Sequence, residues 1–246
     1  MGFRYNALYL CKNFYTMLTF IKKYRILLGT LLLISVLALV LFYTALTPQK
    51  NLKIYSPADV NPKLVDSTIQ HVGRYHRIAP FSFTNQNGKT ITNKDYDGKI
   101  YVADFFFTRC QTICPIMTDN MTWLQGEIKN MPDVMLLSHS VTPDIDSVAV
   151  LRAYANKKGA IDAKWNFVTG DKKDIYSIAR KSYLAVETTD SKDLYDMVHT
   201  ENFILVDKKG RIRGFYNGTN RDSLVKGEKN VTQLLDDIKW LRENEK

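Results

Sequence analysis

The sequence predicts an α/β sandwich preceded by a single membrane-spanning helix, and three observations predict it. An uncharged run of 21 residues, Ile26 to Leu46, follows a basic N-terminal segment. Beyond it, short apolar runs suited to buried strands alternate with stretches of helical period, the order expected of parallel strands joined by helices. Turn signals at Asn87-Gly88 and Lys208-Lys209-Gly210 place a β-hairpin at each end of that series.

Charge explains the first segment. The chain has 246 residues, 45% hydrophobic and 24% charged, with a net charge of +9, a globular composition. Residues 1–50 hold Arg4, Lys12, Lys22, Lys23, Arg25 and Lys50 and no acidic residue, which leaves 28 basic against 25 acidic residues beyond them. The basicity is therefore a topological signal and not a nucleic-acid footprint. Residues 26–46 span roughly 30 Å as a helix, the thickness of a bilayer's hydrocarbon core. The basic flank places residues 1–25 in the cytoplasm and everything after the span outside, on the periplasmic face of a cytoplasmic membrane. A cleaved signal peptide has a shorter apolar region of about 7–15 residues followed by a small-residue site. No good site follows this run, and no nearby cysteine offers a lipid attachment, so the segment reads as an uncleaved signal anchor.

Residues 47–75, with Pro48, Pro57 and Pro62, read as a tether, and 76–246 as the folded domain. Residues 81–93 alternate around Asn87-Gly88, a hairpin. Ile100 to Phe107 is an apolar, aromatic run suited to a central strand. Residues 115–129 follow as a helix, with Pro115 tolerated in its first turn. Val134–Val141 is a second buried strand, and Asp146 is expected to cap a helix running to about Lys158. Trp165–Val168 is a short strand, and Asp171 to about Tyr183 a helix. Phe203–Asp207 and Ile212–Tyr216 form the second hairpin, and residues 231–244 close the chain as an amphipathic helix. This order matches a thioredoxin-like plan, whose active site lies at the C-terminal end of the first core strand.

That position is where the chemistry concentrates. Residues 105–117 read Phe-Phe-Phe-Thr-Arg-Cys-Gln-Thr-Ile-Cys-Pro-Ile-Met, with Cys110 and Cys114 four positions apart. Four positions is about one helical turn, so both sulfurs can face one point, ready to bind a soft metal or to close a disulfide. Cys11 falls on the cytoplasmic side and does not meet them. A lone pair outside the cytoplasm is too few for a disulfide scaffold, and a domain of this size buries an adequate core without one.

The cysteine motif, followed by Ser140-Val-Thr-Pro-Asp-Ile-Asp-Ser147 and by Val198-His199-Thr-Glu-Asn-Phe-Ile-Leu-Val-Asp207, resembles the SCO/SenC family. Its members are membrane-anchored, thioredoxin-like proteins that help assemble the copper centre of respiratory cytochrome oxidase. The resemblance covers roughly residues 75–245. It implies that Cys110, Cys114 and His199 together bind one copper ion per chain. Thiolates suit Cu(I), and a borderline imidazole lets the same site hold Cu(II). The resemblance also implies partners: an oxidase subunit carrying the copper centre, and a copper donor or thiol reductase. Two departures stand out. Many members carry Asp just before the ligand histidine, where this chain has Val198; many carry Asp-Pro after the second core strand, where it has Thr142-Pro143. A carboxylate beside a ligating imidazole orients it, and Asp193 or Asp196 could supply one.

The remaining candidates have plainer readings. His139 lies in a buried strand as a core histidine or one that orients a ligand. His71 and His76 belong to the tether region. Met117 and Met121, at helical spacing after Cys114, are helix core. Three functions compete: a copper metallochaperone using all three ligands, a thiol–disulfide oxidoreductase using only Cys110 and Cys114, and a peroxidase, for which Arg109 would be the one adjacent cation to lower a thiol pKa.

Overall fold

The computed structural model describes residues 19–46, 50–62, 65–185 and 200–245. They divide into two units, Met1–Asn51 and Leu52–Lys246. In the first, helix α1 (Arg25–Leu46) matches the expected apolar run, and none of its residues is buried. It is long and apolar enough to cross a membrane.

The second unit is built on a seven-stranded sheet: β1 (Ser82–Asn85), β2 (Thr90–Thr92), β3 (Ile100–Phe106), β4 (Val134–Ser140), β5 (Trp165–Thr169), β6 (Asn202–Val206) and β7 (Ile212–Asn217). Their spatial order is β2-β1-β5-β4-β3-β6-β7. β3, β4 and β5 are parallel, while β1 and β6 run antiparallel to their neighbours. This is the predicted mixed sandwich with a hairpin at each edge. Helices α2 (Ile113–Glu127), α3 (Val148–Lys157), α4 (Lys172–Lys181) and α5 (Val231–Asn244) complete it.

Every residue of β3 and β4 is buried, so their side chains must feed two cores, one on each face of the pleat. Val102 and Phe106 face Met117, Met121, Leu124, Leu151, Trp165 and the inner stripe of α5. Tyr101, Ala103 and Phe105 face Ile175, Ile178 and Ala179 of α4 together with Tyr183. The β1–β2 turn carries Gly88 at a φ of 71°, a left-handed conformation that glycine adopts without strain.

Three boundaries differ from expectation, each for a local reason. Helix α2 starts at Ile113, not Pro115. Proline lacks only an N–H that has no intrahelical partner in the first turn, so the helix begins two residues earlier and takes Cys114 into that turn. Helix α3 is capped by Ser147, whose side chain accepts from the Val150 N–H; Asp146, the expected cap, points elsewhere. Finally, much of the expected tether belongs to the folded unit. Leu52 is buried, its carbonyl accepts from Arg213 Nη2 at 2.8 Å, and the Tyr55 N–H donates to the Ile212 carbonyl at 2.9 Å. Arg213 is itself held by Asp207 and Glu245. His76, in the same region, makes a 2.7 Å hydrogen bond to the Ser182 carbonyl.

Candidate metal centre

The end of β3 delivers the first thiol. After Phe106 the chain leaves the sheet, and the Cys110 N–H donates to the Phe107 carbonyl at 3.3 Å, closing a turn over residues 107–110. Thr112 then occupies the N-cap position of α2 without a side-chain capping hydrogen bond, and Cys114 is second in the helix. Cys110 is partly exposed and Cys114 buried, and both are free thiols. The Cys114 backbone N–H donates to Cys110 Sγ at 3.4 Å, and Thr112 Oγ1 lies 3.6 Å from the same sulfur. The expected convergence of the two sulfurs is therefore present.

Their surroundings make the thiols unlike. Burial pushes the Cys110 thiol up, but hydrogen bonds from the Cys114 side chain and backbone and from Thr112 outweigh it and leave its pKa below the ordinary value. Burial pushes the Cys114 thiol up to about 12, reinforced by its hydrogen bond to Cys110 and by the nearby Asp104 carboxyl. The pair is a partly exposed sulfur with a lowered pKa backed by a buried one with a raised pKa.

Asp104 is a residue that sequence pattern alone does not single out. Its only signal is a single acidic residue inside the run Ile100–Phe107. It is buried, burial raises its pKa to about 7, and the Ser138 hydroxyl bonds it and opposes that shift. Oδ1 has no hydrogen-bonding partner among the described residues. Asp104 and Ser138 stand opposite each other in the β3–β4 register.

His139 sits on the other face of β4, stacked on Phe105 at a centroid distance of 4.9 Å and edged by Phe83 and Tyr183. Neither ring nitrogen has a partner among the described residues, and burial lowers its pKa to about 3. It is a core residue. Met117 and Met121 are core as expected, and Arg109 is exposed. His199, Val198, Asp193, Asp196 and Cys11 lie outside the described residues, among which no cluster of three or more His, Cys, Asp or Glu could hold a metal. The two thiols fit a soft, thiophilic ion as two donors of a larger set.

Asp104 and His139 bias stability in opposite directions. An unfolded chain protonates His139 below its ordinary pKa of 6.5, whereas the fold resists until about 3. The unfolded state thus holds more protons in that window, and this contribution falls as pH is lowered. Asp104 ordinarily ionises at 3.8 but stays protonated in the fold to about 7, so its contribution falls as pH rises through that window. We expect each slope to be ~1.4 kcal/mol per pH unit and the two to cancel between about pH 4 and 6.5. In metal-free, reduced protein, Asp104→Asn should lose stability relative to wild type as pH is lowered, and His139→Phe should gain it. Urea unfolding of the three proteins at pH 4.5, 5.5 and 6.5 measures this; parallel profiles would contradict it.

The family model described as SCO1/SenC matches residues 70–233. The SCO1 protein homolog of Bacillus subtilis is 34% identical over 165 residues, covering 65% of this chain and 84% of the relative. Other relatives are longer: the match spans 54% of the mitochondrial SCO1 homolog of Homo sapiens. Among solved structures, BsSco, described as having a disulfide switch and as a member of the Sco family of cytochrome c oxidase assembly proteins, is 33% identical with a TM-score of 0.55, covering 67% of this chain and 92% of its own. Arabidopsis thaliana ScoI, solved with copper bound, is 27% identical with a TM-score of 0.51, covering 67% and 98%.

Proposed function

The chain belongs to the SCO1/SenC family, and from that premise we propose that it binds one copper ion through Cys110, Cys114 and His199 and delivers it to a cytochrome c oxidase subunit, anchored to the membrane by α1 with its folded unit outside the cytoplasm. The observation that carries this reading is the pair of free thiols meeting at the β3–α2 junction. Thiolates are soft donors for Cu(I), and an imidazole from beyond the pair extends the set to Cu(II). Copper here is cargo. The partly exposed Cys110 gives an acceptor's ligands an open side from which to enter, and the buried Cys114 holds the donor end in place. The copper-bound Arabidopsis thaliana relative and the oxidase-assembly role of BsSco support the same reading. Copper titration of the full-length chain in detergent should give one ion per chain; none bound under reducing conditions would refute it.

A second reading has its own support. The depressed pKa of Cys110 beside the raised pKa of Cys114 is the asymmetry a thiol–disulfide exchanger uses, with the first sulfur attacking and the second resolving. BsSco has a disulfide switch. In this role the chain would reduce the oxidase subunit's copper-binding cysteines before metal arrives. Cys110 is then expected to be alkylated at pH 7 faster than Cys114 by on the order of 100-fold or more. Mass mapping of partly alkylated protein reads the ratio, and equal labelling would contradict the assignment of roles.

A further inference from the structure

Asp146 does none of the work expected of a helix cap, yet it is fully buried. Its Oδ1 accepts from Thr108 Oγ1 at 2.5 Å. Its Oδ2 accepts from the Thr108 N–H at 3.2 Å, Ser140 Oγ at 2.6 Å and Thr142 Oγ1 at 3.1 Å. No salt bridge to it is found among the described residues. Burying a carboxylate without a counter-ion is costly unless donors surround it, and here four donors converge on one group. They come from two places: Thr108 at the end of β3, inside the turn that closes on Cys110, and Ser140 and Thr142 where β4 ends. The carboxylate therefore bolts the cysteine turn to the neighbouring strand. Cys114 is fixed separately, by α2 and the core on which that helix rests. The two sulfurs thus reach their common point from two supports, and only one of them depends on Asp146.

We propose that Asp146 is the positioning residue of the thiol pair: by holding Thr108 it fixes the turn that presents Cys110 and so sets the placement of the two sulfurs relative to each other. This rests on reading the pair as copper ligands and deepens that reading. Asparagine is the informative replacement, because it keeps the shape but turns one acceptor into a donor facing the same donors.

The test measures two quantities on the full-length chain in detergent. One is Cu(I) affinity by competition with a chelator. The other, in metal-free protein, is the equilibrium constant for closing the Cys110–Cys114 disulfide against glutathione. In that exchange the two thiols give two electrons and two protons to oxidised glutathione, whose disulfide becomes two thiols. In Asp146→Asn we expect copper affinity to fall about 10–100-fold, the range seen when a group that orients a ligand is lost, and disulfide closure to weaken several-fold. Thr108→Val, which loses one of the four donors, should move both in the same direction by less. Ser147→Ala, which removes the α3 cap alone, should lower the melting temperature and leave both at wild type. If Asp146→Asn moves them no more than Ser147→Ala, the proposal is overturned. If Asp146→Asn does not fold, Thr108→Val decides, and wild-type values there overturn it equally. Wild-type protein that takes up no copper would sink the copper reading instead, while the disulfide constant still tests the positioning.

Discussion

Replacing Cys110 or Cys114 by serine is expected to abolish copper binding, with affinity falling by well over the roughly 100-fold that follows loss of a group that merely orients a ligand. A serine hydroxyl stays protonated at neutral pH and is a hard donor, so neither charge nor softness is replaced. The two variants should differ in stability. Cys114 is 4% exposed among Met117, Met121 and the rest of the core, so a hydroxyl there costs about 1–3 kcal/mol unless it finds a partner. Cys110 is partly exposed at the edge of that core, and its replacement should leave the fold unchanged within about 0.5 kcal/mol. Equilibrium titration with a competing Cu(I) chelator, paired with urea unfolding of the metal-free proteins, separates the ligand effect from the packing effect. Retention of wild-type affinity by either variant would remove that sulfur from the site.

Removing the imidazole should act differently. In His199→Ala the two thiolates remain, and they alone satisfy much of what Cu(I) asks of a site. Cu(II), which favours nitrogen donors, loses more. We expect Cu(II) affinity to fall by at least about 100-fold and Cu(I) affinity by less than about tenfold. The same variant divides the two functional readings. If delivery of copper is the chain's work, oxidase assembly in cells should fail in His199→Ala as it does in Cys114→Ser. Loss confined to the cysteine variant would favour thiol–disulfide exchange as the main role.

Much of this was legible in the sequence wherever a residue's neighbours along the chain decide its structure. The run Ile100–Phe107 could be read as a central strand because both faces of β3 are buried and leave no polar alternation. Asn87-Gly88 marked its hairpin because the turn needs a left-handed residue. The thiol pair was legible from spacing alone, although its interpretation as a metal site came from the family resemblance. What escaped depended on contacts across the fold. Asp146 precedes a helix and looks like its cap; that it reaches instead to Thr108, 38 positions earlier, is a matter of β3 and β4 lying side by side. The burial of Leu52 against Arg213, 161 positions away, likewise moved the start of the folded unit into what reads as a proline-bearing tether. Asp104 is illegible in the sequence because an acidic residue in an apolar strand has no local meaning until a thiol is placed near it.

X-ray absorption at the copper edge of the singly loaded, reduced full-length protein tests the central claim most directly. A site made by Cys110, Cys114 and His199 predicts two sulfur neighbours at about 2.2–2.3 Å and one nitrogen at about 2.0 Å, distances in the range of thiolate and imidazole bonds to a comparable ion, with the nitrogen lost in His199→Ala. Two sulfurs and no nitrogen in the wild type, or a spectrum unchanged by His199→Ala, would contradict it.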